Sequence, residues 1–290
     1  MVGAGISDIK RRIKSIENTI KITNAMRLVS SAKQRKAKAR LLEVRPFFLG
    51  IHECMMDLAS RAGPEPLEYV NPRSNPKSLY IVIGGDRGLA GGFNSNLFKK
   101  VASQVMKETT IILPIGKVAV SFFEKNGFPE ILNPLVNVGE QITPQKAHHV
   151  AATILHNYDR DMFSKVNLAY TSFVSTLSQE PVITQVLPLN LERIEQNVES
   201  EGDKTRNVPH HDPSPNAVFR ALVPQYLAGM IFGAIVESFA AEQAARSNAM
   251  ESATSSAKEI IAGLKLAYNR ARQVAITKEI IEIVSGASSD

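Results

Sequence analysis

The sequence predicts an α/β body plus a long antiparallel two-helix coiled coil formed by the N- and C-terminal helices. Three observations lead to this fold class: heptad-spaced isoleucines at the start, apolar runs alternating with amphipathic segments in the middle, and a final stretch of 70 residues whose only strong helix breaker is Pro224. We therefore expect five segments: a coiled-coil helix over 1–62, a linker over 63–77, an α/β (Rossmann-like) body over 78–196, a loop over 197–215 and a coiled-coil helix over 216–290.

The N-terminal segment has the apolar spacing of a coiled coil. Five isoleucines follow one another at alternating spacings of three and four residues: Ile6, Ile9, Ile13, Ile16 and Ile20. We expect this seam to continue through Met26, Val29 and Ala32, and Pro46 to kink or restart the helix before a further piece over 47–62. Helices this long need a partner along their sides, and each terminal helix is the obvious partner of the other.

The middle of the chain alternates between two periodicities. Short β-branched runs predict strands at 79–83, 110–115, 131–136, 165–174 and 182–189, and the segments between them predict helices at 94–107, 118–126 and 144–163. Asn94 or Ser95 is the expected cap of the first of these helices. Strands that alternate with helices favour a mostly parallel sheet, and the last two strands are expected to pair antiparallel at an edge.

Charge and hydropathy limit the function classes. The net charge is +6, and residues 1–45 hold twelve basic side chains against three acidic ones, which favours an acidic partner surface such as nucleic acid, phospholipid or an acidic protein. The basic run 33–40 has no aromatic residues nearby for base stacking, so we expect a solvated or acid-facing helix surface there. The longest apolar run, 226–236, is too short to span a membrane, which favours a soluble or peripheral protein.

One loop lies where phosphate-binding loops are found. The sequence GGDRGLAGGFNSN (84–96) follows a predicted strand and precedes a predicted helix. It lacks the Gly-Lys-Ser/Thr ending of a P-loop and the G-x-G-x-x-G spacing of a dinucleotide site. We interpret it as a tight turn in which Asp86 and Arg87 bond locally.

Metal and nucleophile signatures are weak. His148, His149 and His156 share a predicted helix, but their spacing does not bring three ligands to one ion. Cys54 is expected to be a buried, inert thiol on an apolar helix face. We therefore expect no catalytic residue, no cofactor and no metal.

Four stretches resemble a known family: IKRRIKSIENTIKITNAMRLVSSAKQRKAKA (9–39), DRGLAGGFN (86–94), ESFAAEQAARSNAMESAT (237–254) and LAYNRARQVAITKEIIEIVSGAS (266–288). Together they make the chain similar to the gamma subunits of F-type ATP synthases over nearly its whole length. The resemblance implies a rotating central shaft, formed by the terminal helices inside a hexamer of three alpha and three beta subunits, with the body against the epsilon subunit and the membrane c-ring. It also implies that the beta subunits carry the catalytic sites.

The resemblance further implies contact residues and a location. Arg272, Gln273 and Thr277 match positions that contact a beta-subunit loop and bear torque, and Met26 is expected nearby on the opposing helix. With no transit peptide evident, we expect a peripheral position on the cytoplasmic face of a bacterial plasma membrane; the alternative is the inner face of an organelle membrane, for a trimmed mature chain. Two other functions stay open: a basic coiled-coil nucleic-acid binder, and a small-molecule enzyme that uses a deep pocket in the α/β body.

Overall fold

The computed structural model describes residues 2–61, 69–132, 134–189 and 214–287. Two long helices, α1 (Val2–Arg61) and α5 (Pro215–Ala287), precede and follow a five-stranded sheet in the chain. The chain divides into two compact units. We call them the helix-pair unit (Met1–Ser31 with Arg246–Asp290) and the body unit (Ala32–Ala245).

Among the described residues, the body unit contains the sheet and three shorter helices. Its elements in chain order are β1 (Ser78–Ile83), α2 (Phe93–Gln104), β2 (Thr110–Ile115), α3 (Lys117–Lys125), β3 (Glu130–Ile131), α4 (Pro144–Asp159), β4 (Lys165–Phe173) and β5 (Gln179–Leu187). The strand order is β3-β2-β1-β4-β5, and only the β4–β5 pair is antiparallel. The expected α/β fold with an antiparallel edge is confirmed.

Apolar side chains cover both faces of the sheet, because alternate residues of a strand point to opposite faces. On one face, Val82 and Ile112 pack with Phe98 of α2 and Phe123 of α3. On the other face, the core includes α4 and the parts of α1 and α5 that belong to the body unit. The body therefore has three layers, and segments of the two long helices complete one of them.

Helix α1 runs through Pro46 without a break, so the helix does not restart there, and a kink at Pro46 stays a prediction. Pro46 is exposed. On a solvent-facing side of the helix, water can bind the backbone carbonyl that loses its partner to the proline ring.

Several predicted boundaries differ from the structure. Helix α2 begins one residue earlier than expected, with Gly92 in the cap position, so neither Asn94 nor Ser95 is the cap. Helix α4 ends at Asp159, and β5 begins before the expected position 182. Residues 69–77 of the expected linker are described and form turns and irregular structure, whereas 63–68 and residues 197–213 of the expected loop lie outside the described residues.

Helix α5 is unusually apolar for its length. It contains an 18-residue window with a mean hydropathy of 1.5, long and apolar enough to cross a membrane by composition alone. Half of that window is buried inside the protein, as in the core helices of soluble proteins. Composition alone is therefore weak support for a membrane span here.

Candidate functional site

The helix-pair unit has a seam that changes from apolar to polar along α1. Residues at heptad spacing are half-buried or buried: Ile6, Ile9, Ile13, Ile16, Ile20, Thr23 and Ser30. Two hydroxyl pairs join α1 to α5. The Oγ1 atoms of Thr23 and Thr254 lie 2.7 Å apart, and the Oγ atoms of Ser31 and Ser247 lie 3.0 Å apart. Because residue numbers rise on one helix as they fall on the other, the helices are antiparallel.

The expected continuation of the seam through Met26, Val29 and Ala32 is wrong at Val29 and Ala32. Val29 is 54% exposed, Ala32 is exposed, and Met26 is half-buried. The heptad continues instead at Thr23 and Ser30, whose side chains are buried although they are polar. Because Thr23 and Ser30 are polar, apolar periodicity alone does not indicate that the seam continues at these residues.

The three expected contact residues near the end of α5 are all exposed: Arg272, Gln273 and Thr277. The hydroxyl of Thr277 donates to the backbone carbonyl of Gln273 over 2.9 Å, which links these two residues across one helical turn. Large apolar side chains are also exposed in this stretch: Val274, Ile276, Ile280, Ile281 and Val284. The end of α5 therefore presents polar and apolar groups together, as binding surfaces do.

Met26 does not lie near these residues, so that expectation is wrong. The hydroxyl pairs at Thr23 and Ser31 set the register and place Met26 roughly level with Glu251 on α5. At about 1.5 Å per residue, Arg272 is then roughly 30 Å farther along the helix axis. Any contacts made by Met26 and by Arg272 belong to two separate sites.

In the body unit, the loop after β1 holds the carboxyl edge of the sheet together. The Asn94 side-chain oxygen accepts the Gly85 backbone N–H over 2.8 Å. The Oδ1 atom of Asp86 accepts the backbone N–H groups of Lys117 and Asn137 over 3.1 and 2.9 Å. Asp86 therefore bonds to distant segments, and the expectation of local bonding is wrong for this residue. Because the Asn94 side-chain oxygen accepts the Gly85 N–H, it is not used to cap α2.

The same edge contains a very close backbone approach. Gly116 has a φ of +96°, and a Cβ atom at this position would lie 2.4 Å from the carbonyl oxygen of Gly84. The Gly84 N–H donates to the Ile115 carbonyl over 2.8 Å. Only glycine fits where the chain turns from β2 into α3 beside this loop.

The other candidate residues do not converge on one site. Among the described residues, no group of three metal-ligating side chains could hold an ion, and His148, His149 and His156 are exposed. Cys54 is exposed rather than buried, because it lies beside the heptad positions Ile51, Met55 and Leu58 and not on them.

An open groove of about 370 Å³ lies in the body unit between α1, α4 and α5, and its lining includes Phe47, Phe48 and Pro144. Its polar lining side chains are Gln145, His148 and Gln225. The lining is mostly apolar, and this groove is open, whereas the enzyme alternative requires a deep pocket with convergent polar groups.

Comparison with known proteins gives a consistent result. The ATP synthase family matches residues 5–289. The ATP synthase gamma chain of Ruminococcus albus is 43% identical over 292 residues, which cover 99% of both chains. These matches extend over both units and both long helices.

Solved structures show the same architecture. A chain of the Euglena gracilis mitochondrial ATP synthase (OSCP/F1/c-ring) aligns with a TM-score of 0.69 and 19% identity, over 99% of this chain and 95% of that one. A chain of the Tetrahymena thermophila mitochondrial ATP synthase (central stalk/c-ring) aligns with a TM-score of 0.61 and 24% identity, over 80% of this chain and 99% of that one. At these identities the likeness establishes the fold.

Proposed function

The chain belongs to the ATP synthase gamma chain family, and we propose that it has no catalytic site of its own. It is the central-stalk subunit of an F-type ATP synthase, which couples ion-driven rotation of the membrane ring to ATP synthesis or hydrolysis in the alpha/beta hexamer. The observation that carries this function is the full-length match to ATP synthase gamma chains, together with a helix pair whose seam is closed by small hydroxyl residues.

The surface of the helix-pair unit supports a turning shaft. On α5, four exposed residues next to Thr254 are small, whereas Glu251 and Lys258 on either side of them are exposed and charged; the small residues are Ser252, Ala253, Ser255 and Ser256. Small polar side chains offer little apolar area for a permanent contact. The seam hydroxyls of Thr23 and Thr254 let the two helices approach closely, which keeps the pair slim.

We assign the partners from charge and family. Three alpha and three beta subunits surround the helix pair, and the epsilon subunit and c-ring contact the body. Exposed cations on α1, among them Lys10, Arg12, Lys14 and Lys21, suit acidic loops of the beta subunits. Because these charges are exposed, their attraction weakens as salt is added. We assign no nucleic-acid partner, because the basic run 33–40 has no aromatic residues nearby for base stacking.

The five segments expected from the sequence are proposed as functional divisions: helices at 1–62 and 216–290 for the shaft, and the body at 78–196 for contact with epsilon and the c-ring, with 63–77 and 197–215 as connections. We place the complex at the cytoplasmic face of a bacterial plasma membrane, since the Ruminococcus albus relative is bacterial. The alternative location is the inner face of an organelle membrane.

We propose two torque-bearing contacts with the beta subunits rather than one. The first involves Arg272, Gln273 and Thr277 near the end of α5, where the Thr277–Gln273 hydrogen bond orders the polar group. The second involves Met26, roughly 30 Å away along the helix axis. Polar contacts on an exposed helix can form and break as the shaft turns, which is what successive beta subunits require.

The test is to co-express the tagged full-length chain with the alpha and beta subunits of the same organism and to measure subunit ratio and ATPase rate. We expect one copy per hexamer. Replacement of Arg272 and Gln273 by Ala should lower the ATPase rate several-fold. The matched control is Lys265→Ala, which removes one exposed cation seven residues earlier, on nearly the same side of α5.

Capture with an unchanged rate in the Arg272→Ala/Gln273→Ala variant would discard these contact residues and keep the stalk function. An equal loss in Lys265→Ala would replace the specific contact with a general effect of positive charge. A chain that is not captured, and that binds duplex DNA tightly at physiological salt, would overturn the stalk function itself.

A further inference from the structure

Open α/β sheets have a crevice that usually binds a ligand. It lies outside the carboxyl ends of two neighbouring strands. The connection that follows one of these strands runs toward one edge of the sheet, and the connection that follows the other runs toward the opposite edge. In this sheet β2 lies on one side of β1 and β4 on the other, so the crevice falls between the ends of β1 and β4. The loop 84–92 and the start of α2 border it.

In this protein, helix α5 fills the crevice. The Ser238 hydroxyl donates to the carbonyl oxygen of Ile83, the last residue of β1, over 3.3 Å. Ala241 is buried against Ala90 and Phe93 at the start of α2. A Cβ atom on Gly85 would lie 2.9 Å from the Glu242 carboxylate, so the helix and loop leave no space there. Residues 237, 238, 241 and 242 share one face of a helix, and this face meets the sheet.

Glu237 makes directional contacts from this face. Its Oε1 atom accepts the Ser172 hydroxyl over 2.6 Å and the Phe173 backbone N–H over 3.0 Å, at the end of β4. The ammonium group of Lys38, on α1, lies 4.8 Å from the centre of the Phe173 ring. Both long helices therefore meet at the last residue of one strand.

The two kinds of contact between α5 and the sheet resist rotation differently. The hydrophobic effect is non-directional, so the apolar contacts of α5 hold the helix against the sheet through interdigitated packing and not through the angle of any one bond. Hydrogen bonds to a carboxylate depend on angle, and breaking one shifts an open–closed equilibrium about tenfold or more. The bonds of Glu237 are thus suited to fix the rotation of α5 relative to β4.

We propose that Glu237 is a positioning residue that locks the rotation of α5 to the sheet of the body. This proposal rests on the stalk function above and adds a defined point through which torque passes between helix and body. A crevice that binds ligands in other α/β proteins serves here as a mechanical anchor for the chain's own helix.

The experiment uses the complete ATP synthase, assembled with each variant and reconstituted into vesicles. ATP hydrolysis and ATP-driven ion transport are measured on the same preparation, for H⁺ and for Na⁺. Glu237→Ala should leave hydrolysis within about twofold of wild type and lower the ions transported per ATP at least twofold, because the anchor slips under load. Glu237→Gln keeps an acceptor oxygen and should restore most of the ratio.

The matched control is Glu180→Ala. Glu180 pairs with Ser172 in the β4–β5 register but is exposed. It should leave the transport ratio unchanged. An unchanged ratio in Glu237→Ala, or an equal loss in Glu180→Ala, would overturn the proposal.

If Glu237→Ala does not assemble, Ser172→Ala carries the test. It removes one of the two donors and leaves α5 intact, so a lowered ratio supports the anchor and an unchanged ratio overturns it. Failure of the wild-type chain to join the hexamer would instead refute the stalk function, so the two failures are distinguishable.

Discussion

The interiors of the body unit and the helix-pair unit are built from different residues. The body buries large aromatic side chains completely, among them Phe98, Phe123 and Phe163. The helix-pair unit has half-buried isoleucines and buried hydroxyls at its seam, and leaves Val274 and Ile281 about 60% exposed. The body thus has its own core, whereas much of the apolar surface of the helix-pair unit is left for a partner.

The difference follows from what each unit must do. A fully buried Phe or Leu side chain contributes roughly 1.5–3 kcal/mol, and a half-exposed one contributes correspondingly less. Long helices whose seam is only half covered are marginal without further packing. The helix-pair unit should therefore be stabilised in the assembled complex, and the body should be stable before assembly.

Replacing a core side chain by Ala should lower the free energy of unfolding much more in the body unit than in the helix-pair unit. Phe123→Ala leaves a cavity among Phe98, Phe122 and Phe128. It should lower the free energy of unfolding of the body unit, as measured at its backbone amides, by about 3–5 kcal/mol. Ile13→Ala removes a half-buried side chain. It should lower the free energy of unfolding of the helix-pair unit, as measured at its backbone amides, by about 1–2 kcal/mol. Hydrogen exchange of the full chain, measured separately for each unit, gives both values. Equal costs would mean that the two interiors do not differ.

A glycine pair tests how tightly the body's carboxyl edge is packed. Gly116→Ala forces a Cβ atom against the Gly84 carbonyl and should cost about 3 kcal/mol. Gly127→Ala also has a positive φ, but nothing lies within 4 Å of its Cβ position, so it should cost about 1 kcal/mol. Urea unfolding of the full chain gives both free energies. Similar values would contradict the close approach at Gly116.

Part of this contrast was predictable from the sequence. The alternation of strands and helices gave the sheet, and the isoleucine spacing gave the seam as far as Ile20. The polar seam beyond Ile20 was missed because Thr23 and Ser30 carry no apolar signal, although each bonds or packs across the pair. Sequence spacing alone also does not set the register of two antiparallel helices, so the distance between Met26 and Arg272 was wrong.

The loop after β1 shows a second limit. Asp86 and Asn94 are typical turn and cap residues, and local rules place their bonds within a few residues. The structure directs Asp86 to Lys117 and Asn137, which are 31 and 51 residues away. Likewise, nothing in the spacing of Glu237 and Ser238 indicates that they face the end of a sheet. Such contacts depend on tertiary placement.

A double-mutant cycle tests the polar seam of the helix-pair unit. Thr23→Val alone removes the partner of the Thr254 hydroxyl across the seam, while Thr254 keeps its bond to the Met250 carbonyl, and should cost about 0.5–1.5 kcal/mol. The double variant Thr23→Val/Thr254→Val should be nearly neutral, because both partners become apolar with the same shape. Hydrogen exchange at residues near the pair gives the coupling energy. Additive losses would show that the hydroxyls do not act as a pair.

The smallest expected effect concerns Tyr170, on the body face that meets α5. Burial raises the pKa of Tyr170 from 10.0 to about 12, and the negative charge of Glu237 acts in the same direction. The folded state therefore keeps this proton when the unfolded chain has lost it. The contribution to stability is present below pH 10 and is lost as the pH rises from 10 through about 12. Ultraviolet titration of tyrosinate should show several late transitions, because burial also raises the pKa values of Tyr80, Tyr158 and Tyr226. Tyr170→Phe should remove the transition near pH 12. Glu237→Gln should shift it to lower pH by a smaller amount, since burial is the larger cause. An unchanged set of late transitions in Tyr170→Phe would contradict the raised pKa of Tyr170.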